Sequence, residues 1–187
     1  SDNTDIEHEY KRSIYSTALF SEFMGRKLNI IDTPGSDDFC GSLFSAFKVA
    51  DVGLCVISAV EGFEAGTEIQ ARYARKLNKP VIAIVNKLDA ENANWDETIE
   101  SINASSRVKP VIVQYPVNPG LGFNSFIDVL IMKMYRFTDE NGTREELEIP
   151  AEEMERAQEL HQILVETAAE NDEDLMMLYF DKGALTQ

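Results

Sequence analysis

At 187 residues and 44% hydrophobic, the chain has enough apolar material for one substantial core, or for one domain with an attached subdomain. No apolar run reaches the roughly 18–20 residues of a membrane-spanning helix, and the acidic, polar N-terminus is unlike a secretory signal, so the expectation is a cytoplasmic protein with no membrane partner. The formal charge of −16 is uneven, with fourteen carboxylates against two arginines from Asp139 to Asp174 (a net of −12), which excludes sequence-independent nucleic-acid affinity for that surface and leaves no sequence-specific nucleic acid among the expected partners.

Residues 1–12 are polar and read as a poorly ordered leading segment. β-Formers dominate residues 13–23, and Gly25-Arg26 turns the chain into 27–32, a hairpin-like pair. Phe39, Leu43, Phe44 and Phe47 recur at helical spacing, so 39–49 reads as a helix, followed by a short apolar strand over 53–59. A helix over 67–77 then leads to a third buried strand, Val81-Ile82-Ala83-Ile84-Val85. Strands alternating with helices point to an α/β fold with a parallel sheet, in which the strand exits form one ligand-binding rim. Cys40 and Cys55 sit in apolar contexts and read as buried free thiols of a reducing compartment, with a disulfide between them left open.

Beyond Asn86 the pattern changes. Residues 95–102 read as helical, 111–115 as extended, and 126–137 as two strands of alternating character. Asn141-Gly142 signals a turn, and Pro150 is placed to open a helix whose early Glu152, Glu153 and Glu155 suit the helix dipole. Met154, Ala157, His161, Leu164, Val165 and Ala168 form its apolar stripe, with His161 an ordinary packed side chain. Asn171-Asp172 interrupts the pattern before a short last helix over 175–180. Residues 1–105 thus read as a sheet-built domain and 106–187 as an attached subdomain. Its acidic face is either solvated or a docking face for a basic partner.

Two turns carry the chemistry. Leu28-Asn29-Ile30-Ile31 runs into Asp32-Thr33-Pro34-Gly35, an apolar strand ending in Asp-x-x-Gly. By itself this is only a good turn, or else half of a phosphate switch. In the switch, Asp32 holds a Mg²⁺ ion through water, and Gly35, lacking a Cβ, lets its N–H approach a terminal phosphate. The strand ending at Val85 runs into Asn86-Lys87-Leu88-Asp89, which alone is equally a polar corner. As an Asn-Lys-x-Asp tetrad it suits a guanine base. The Asp89 carboxylate accepts two hydrogen bonds from the N1 and N2 edge that adenine lacks, the Asn86 amide reaches the opposite edge, and the Lys87 stem lies across the ring. Together the two turns read as a GTP-binding domain.

With these residues in place, the chain resembles elongation factor G and its paralogues among the ribosome-acting GTPases. Glu9-Tyr10-Lys11-Arg12-Ser13-Ile14 is similar to that family's Glu-Arg-Gly-Ile-Thr-Ile, with ungapped spacing to Asp32. Gln114-Tyr115-Pro116-Val117, Phe126-Ile127-Asp128-Val129-Leu130 and Lys133-Met134-Tyr135 resemble the start of the family's inserted subdomain. So do Ile149-Pro150-Ala151-Glu152-Glu153 and Leu164-Val165-Glu166-Thr167-Ala168. The resemblance implies a P-loop-NTPase-type parallel sheet with an α+β inserted subdomain. It also implies Mg²⁺ and GTP as cofactors of the full-length protein, with Ser13 a direct ligand of the metal. The implied partner is the ribosome, with its stalk protein meeting residues 150–180, and the implied work is translocation driven by GTP hydrolysis. Ribosome recycling and displacement of tetracycline are the paralogues' alternatives.

Three departures matter. No Gly-x-x-x-x-Gly-Lys-[Ser/Thr] loop occurs among the 187 residues, so the sheet is expected to lack the family's first strand and phosphate loop, the main source of phosphate affinity. The absent initiator Met and the end at Gln187, short of the family's last guanine-contacting loop, read as a fragment of a longer protein. Alone it is expected to be inactive and to bind GTP weakly or not at all. The strands at 27–32 and 53–59 are then expected to close on each other or to be bridged by something else, a second copy being one option. Next, Ser36 stands where the family carries the His that positions the attacking water. A short uncharged hydroxyl cannot take that role, and such groups are worth roughly 10²–10⁴-fold. Hydrolysis is therefore expected to be weakened, and the rival reading is a ribosome-binding nucleotide switch with little catalysis. Last, Ser13 replaces Thr and keeps a metal-binding hydroxyl. Lys11-Arg12 replaces Gly-Ile, and this basic surface either faces ribosomal RNA or is solvated.

Overall fold

The structure, a computed structural model, describes residues 2–105, 110–139, 142–170 and 177. The chain divides into two units, residues 1–86 with 97–106 and residues 87–96 with 107–187. Asn141, the interruption at Asn171-Asp172 and, apart from Met177, the expected last helix lie outside the described residues.

The first unit opens with a helix, α1 (Asp5–Tyr10), where a poorly ordered segment was expected. Its start is set locally. The Glu7 N–H donates to Thr4 Oγ1 and the Thr4 N–H donates back to the Glu7 carboxylate, a reciprocal capping box. The Thr4-Asp5-Ile6-Glu7 spacing that encodes it is visible in the sequence, and overall polarity hid it. Strands β1 (Thr17–Phe23) and β2 (Arg26–Asp32) pair antiparallel, with Thr17 opposite Asp32 and Phe23 opposite Arg26. Between them Met24 (φ 50°) and Gly25 (φ 72°) are both left-handed, as a two-residue hairpin turn matched to strand twist requires.

A 3₁₀ turn (Asp37–Phe39) leads to α2 (Cys40–Val49), β3 (Gly53–Ser58), α3 (Ala65–Lys76) and β4 (Val81–Asn86). Helix α4 (Trp95–Ser105) follows, and its residues from Glu97 onward belong to this unit. β3 and β4 pair in parallel, from Gly53 opposite Val81 to Ser58 opposite Asn86. The end of α3 is fixed by Asn78 in the left-handed conformation, with Lys79 N–H bonded to Ala74 and Asn78 N–H to Arg75. Lys79 Nζ then donates to the Ala50 carbonyl, which caps α2.

The core forms on one face of β3. Cys55 and Ile57 pack with Ile102, Phe63 and Ile99, while Leu43, Phe47 and Ala74 gather Ile69, Tyr73 and Leu77. The alternate residues Leu54 and Val56 are 59% and 57% exposed. β4, expected to be a buried strand, does not alternate: Val81, Ile82, Ala83 and Ile84 are all exposed and only Val85 is half-buried. The hairpin and the β3–β4 pair remain separate sheets, so the direct closure of β2 on β3 that the sequence allowed does not occur.

In the second unit, β5 (Gln114–Val117), β6 (Ser125–Asp128), β7 (Lys133–Phe137) and β8 (Arg144–Leu147) form an antiparallel meander. The last strand was not anticipated, because three of its four residues are charged. Helix α5 (Ala151–Glu170) starts after Pro150 as expected. Tyr115, Ile127, Val129, Met134, Ile149 and Ala157 are buried. Ala169, not the expected Ala168, is buried near the end of α5. His161 is half-buried with Nδ1 2.8 Å from the Val129 carbonyl, a packed and satisfied side chain. Among the described residues no helix is long and apolar enough to cross a membrane.

Candidate nucleotide site

Asp32 is the last residue of β2 and lies opposite Thr17, the first of β1. The segment holding Ser13 and the turn Thr33-Pro34-Gly35-Ser36 therefore meet the hairpin at the same end. Ser13 Oγ donates to Asp2 Oδ1 at 2.7 Å, so the hydroxyl expected on a metal is held by a carboxylate. Gly35 is exposed and outside the left-handed region, and a Cβ placed there would meet nothing within 4 Å. Nothing in the described chain demands a glycine here.

The Ser36 carbonyl accepts the Phe39 N–H at 3.1 Å, which starts the 3₁₀ turn. Pro34, Ser36, Cys40 and Leu43 line a small cleft with Ile69 and Gln70 of α3. Both cysteines are free, yet only Cys55 is buried; Cys40 is half-buried, against the expectation of two buried thiols. Burial pushes the Cys55 thiol pKa up, and its Sγ lies 3.5 Å from Gln70 Oε1.

Asn86 ends β4 opposite Ser58, and its carbonyl accepts the Ala59 N–H at 2.8 Å. The next residues belong to the second unit. Lys87 has φ 59°, and its carbonyl accepts the Ala90 N–H at 3.2 Å. The Leu88 carbonyl accepts the Gly120 N–H at 2.7 Å. Gly120 has φ 114°, open essentially to glycine alone. Backbone bonds thus hold the tetrad while the side chains of Lys87 and Asp89 stay exposed. Sequence reasoning missed this prop, although Pro119-Gly120-Leu121-Gly122 marks an unusual turn.

Among the described residues no three His, Cys, Asp or Glu side chains gather as a metal site. The donors in hand are the Ser13 hydroxyl and the Asp32 carboxylate. Mg²⁺ takes hard oxygen ligands and prefers one or two from protein, with phosphate oxygens and waters supplying the rest, so this set fits it.

Residues 1–177 match the model of the family described as the elongation factor Tu GTP binding domain. The chain belongs to that family. The crystal structure of ttk003000868 from Thermus thermophilus is similar to it over 99% of this chain, with a TM-score of 0.86 and 30% identity. The chain spans 27% of that protein's length. Membership makes the fold that of a P-loop-NTPase-type α/β domain, and GTP with Mg²⁺ is the family's general ligand.

Proposed function

We propose that this chain is the guanine-nucleotide-binding portion of an elongation factor G-like factor that couples GTP binding and hydrolysis to translocation on the ribosome in the cytoplasm. The observation that carries this is the pair of strand-end motifs, Asp32-Thr33-Pro34-Gly35 after β2 and Asn86-Lys87-Leu88-Asp89 after β4, in a chain matched to the family over residues 1–177. Asp89 accepts the N1 and N2 hydrogens of guanine, Asn86 meets the opposite edge, and Lys87 covers the ring. The Gly35 N–H meets the terminal phosphate, while Ser13 binds Mg²⁺ directly and Asp32 binds it through water. The metal, when bound, neutralises charge on the phosphate oxygens. Acidic α5 is the face offered to the ribosomal stalk.

Base recognition is the part to test. Asp89→Asn replaces an acceptor with a group that also donates, matching xanthine better than guanine. We expect the GTP-to-XTP affinity ratio to fall by at least about tenfold in a competition titration, since lost base-edge hydrogen bonds are worth that or more. An unchanged ratio sinks the assignment.

Ser36 favours one variation on this function, a ribosome-bound nucleotide switch with little hydrolysis. Ser36→His in the whole factor is expected to raise ribosome-stimulated turnover on the order of 10²-fold. Single-turnover hydrolysis with and without ribosomes measures it, and no change removes the role given to Ser36.

A further inference from the structure

Glu7 is 2% exposed and carries five donors on one carboxylate. Oε2 accepts from the Asn3 N–H (3.1 Å), the Thr4 N–H (3.2 Å) and the Thr4 hydroxyl (2.8 Å). That half is the capping box of α1 and explains itself. The other half does not. Oε1 accepts the N–H groups of Ile14 and Tyr15 at 3.0 and 3.1 Å, two residues that follow α1 and have no part in its cap. They come directly after Ser13, whose own hydroxyl is bonded to Asp2 at 2.7 Å. Asp2 is in turn tied to α1, its carbonyl 2.9 Å from His8 Nε2. Ser13 thus sits in a clasp, the backbone that follows it gripped by Glu7 and its side chain by Asp2.

We propose that Glu7 is the positioning residue of a nucleotide switch formed by the Ser13 segment that precedes β1: it fixes the backbone after Ser13 so that this hydroxyl is presented to the metal, with Asp2 as the partner that the metal would displace. The proposal rests on the reading of Ser13 as a Mg²⁺ ligand. Glu7 itself touches neither nucleotide nor metal. A buried carboxylate that only capped a short helix would leave the Ser13 segment indifferent to its replacement. One that positions the switch links its loss to the GTP-bound form and not to the GDP-bound form.

The test is an NMR titration of the whole factor, isotope-labelled in residues 1–187, with GTP·Mg²⁺ and GDP·Mg²⁺. In the unsubstituted chain both nucleotides are expected to displace the Asp89 amide resonance, and GTP alone to displace those of Ser13, Ile14 and Tyr15. Glu7→Gln sets an NH₂ against one of the two donor groups. It is expected to speed amide exchange at Ile14 and Tyr15 about tenfold, the worth of one charged hydrogen bond. It should also abolish the GTP-specific displacement while keeping that of Asp89. Asp2→Ala is expected to bring the GTP-specific displacement in at lower nucleotide concentration. Retained GTP-specific displacement in Glu7→Gln, or unchanged exchange, overturns the proposal. If Glu7→Gln loses the β1–β2 signals, Asp2→Ala decides, and an unchanged midpoint overturns the clasp. No displacement at Asp89 with either nucleotide sinks the guanine assignment and this inference with it; displacement at Asp89 with none at residues 13–15 sinks the clasp alone.

Discussion

The β5–β8 sheet of the second unit and the β3–β4 sheet of the first use the same apolar residue types and bury them differently. Tyr115, Ile127 and Val129 are essentially inaccessible. Helix α5 of the same unit meets that sheet. The Tyr115 hydroxyl donates to Glu153 at 3.1 Å, His161 meets the Val129 carbonyl, and the Arg156 guanidinium lies 4.9 Å from the Tyr115 ring centre while holding Asp96 at 2.8 Å. In the first unit β3 buries every second residue, and β4 and the β1–β2 hairpin leave Ile82, Ile84, Phe20, Phe23 and Leu28 in solvent. A strand's apolar character is therefore a request for cover, which only a neighbouring element grants. Full burial of such a side chain is worth about 1.5–3 kcal/mol, so the two sheets are held with very different strength per residue.

Truncation is the most direct way to break this contrast. Ile127→Ala is expected to cost about 2–5 kcal/mol by chemical denaturation, the range for a filled core position. Ile84→Ala, at a position 42% exposed, is expected to cost less than about 1 kcal/mol. Equal losses would show that β4 is covered in solution and that the contrast is wrong.

A smaller effect separates how the two units handle a buried polar group. Tyr115, buried beside Glu153, has its phenol pushed above the usual range, chiefly by desolvation. Glu7 goes the other way, with its pKa brought from 4.5 to about 2, first by the backbone hydrogens of Ile14 and Tyr15 and against the opposing effect of desolvation. Since the folded value is the lowered one, the stabilisation is full above the ordinary carboxylate range and is lost as pH falls toward about 2. Carboxyl-detected NMR should find the Glu7 midpoint near 2 and slow exchange at Ile14 and Tyr15 persisting to about pH 3. A midpoint at the ordinary glutamate value would mean the clasp is open in solution.

Most elements were legible because their causes are local. Gly25 marked the hairpin, although the turn is Met24-Gly25 and not the expected Gly25-Arg26, since Arg26 already pairs with Phe23; Pro150 starts α5, and the runs ending in Asp32 and Asn86 read as strands at sight. Two elements escaped. The Thr4–Glu7 capping box was present in the letters but lay in a polar stretch, and β8 has one apolar residue in four, so its pairing with β7 supplies what its composition lacks. The candidate site divides the same way. Asp32, Gly35, Ser36, Asn86, Lys87 and Asp89 were named from short motifs, whereas Gly120 beneath Leu88 and Glu7 beside Ile14 act through hydrogen bonds that no motif encodes.

By itself, the order of residues determined the family and the two strand-end motifs proposed to meet a base, a phosphate and a magnesium ion, because each depends on a few neighbours along the backbone. Which apolar faces stay wet, which partner holds the Ser13 hydroxyl, and which turn supports Leu88 were decided only by the folded chain, because each is set by groups that sequence distance separates and packing brings together.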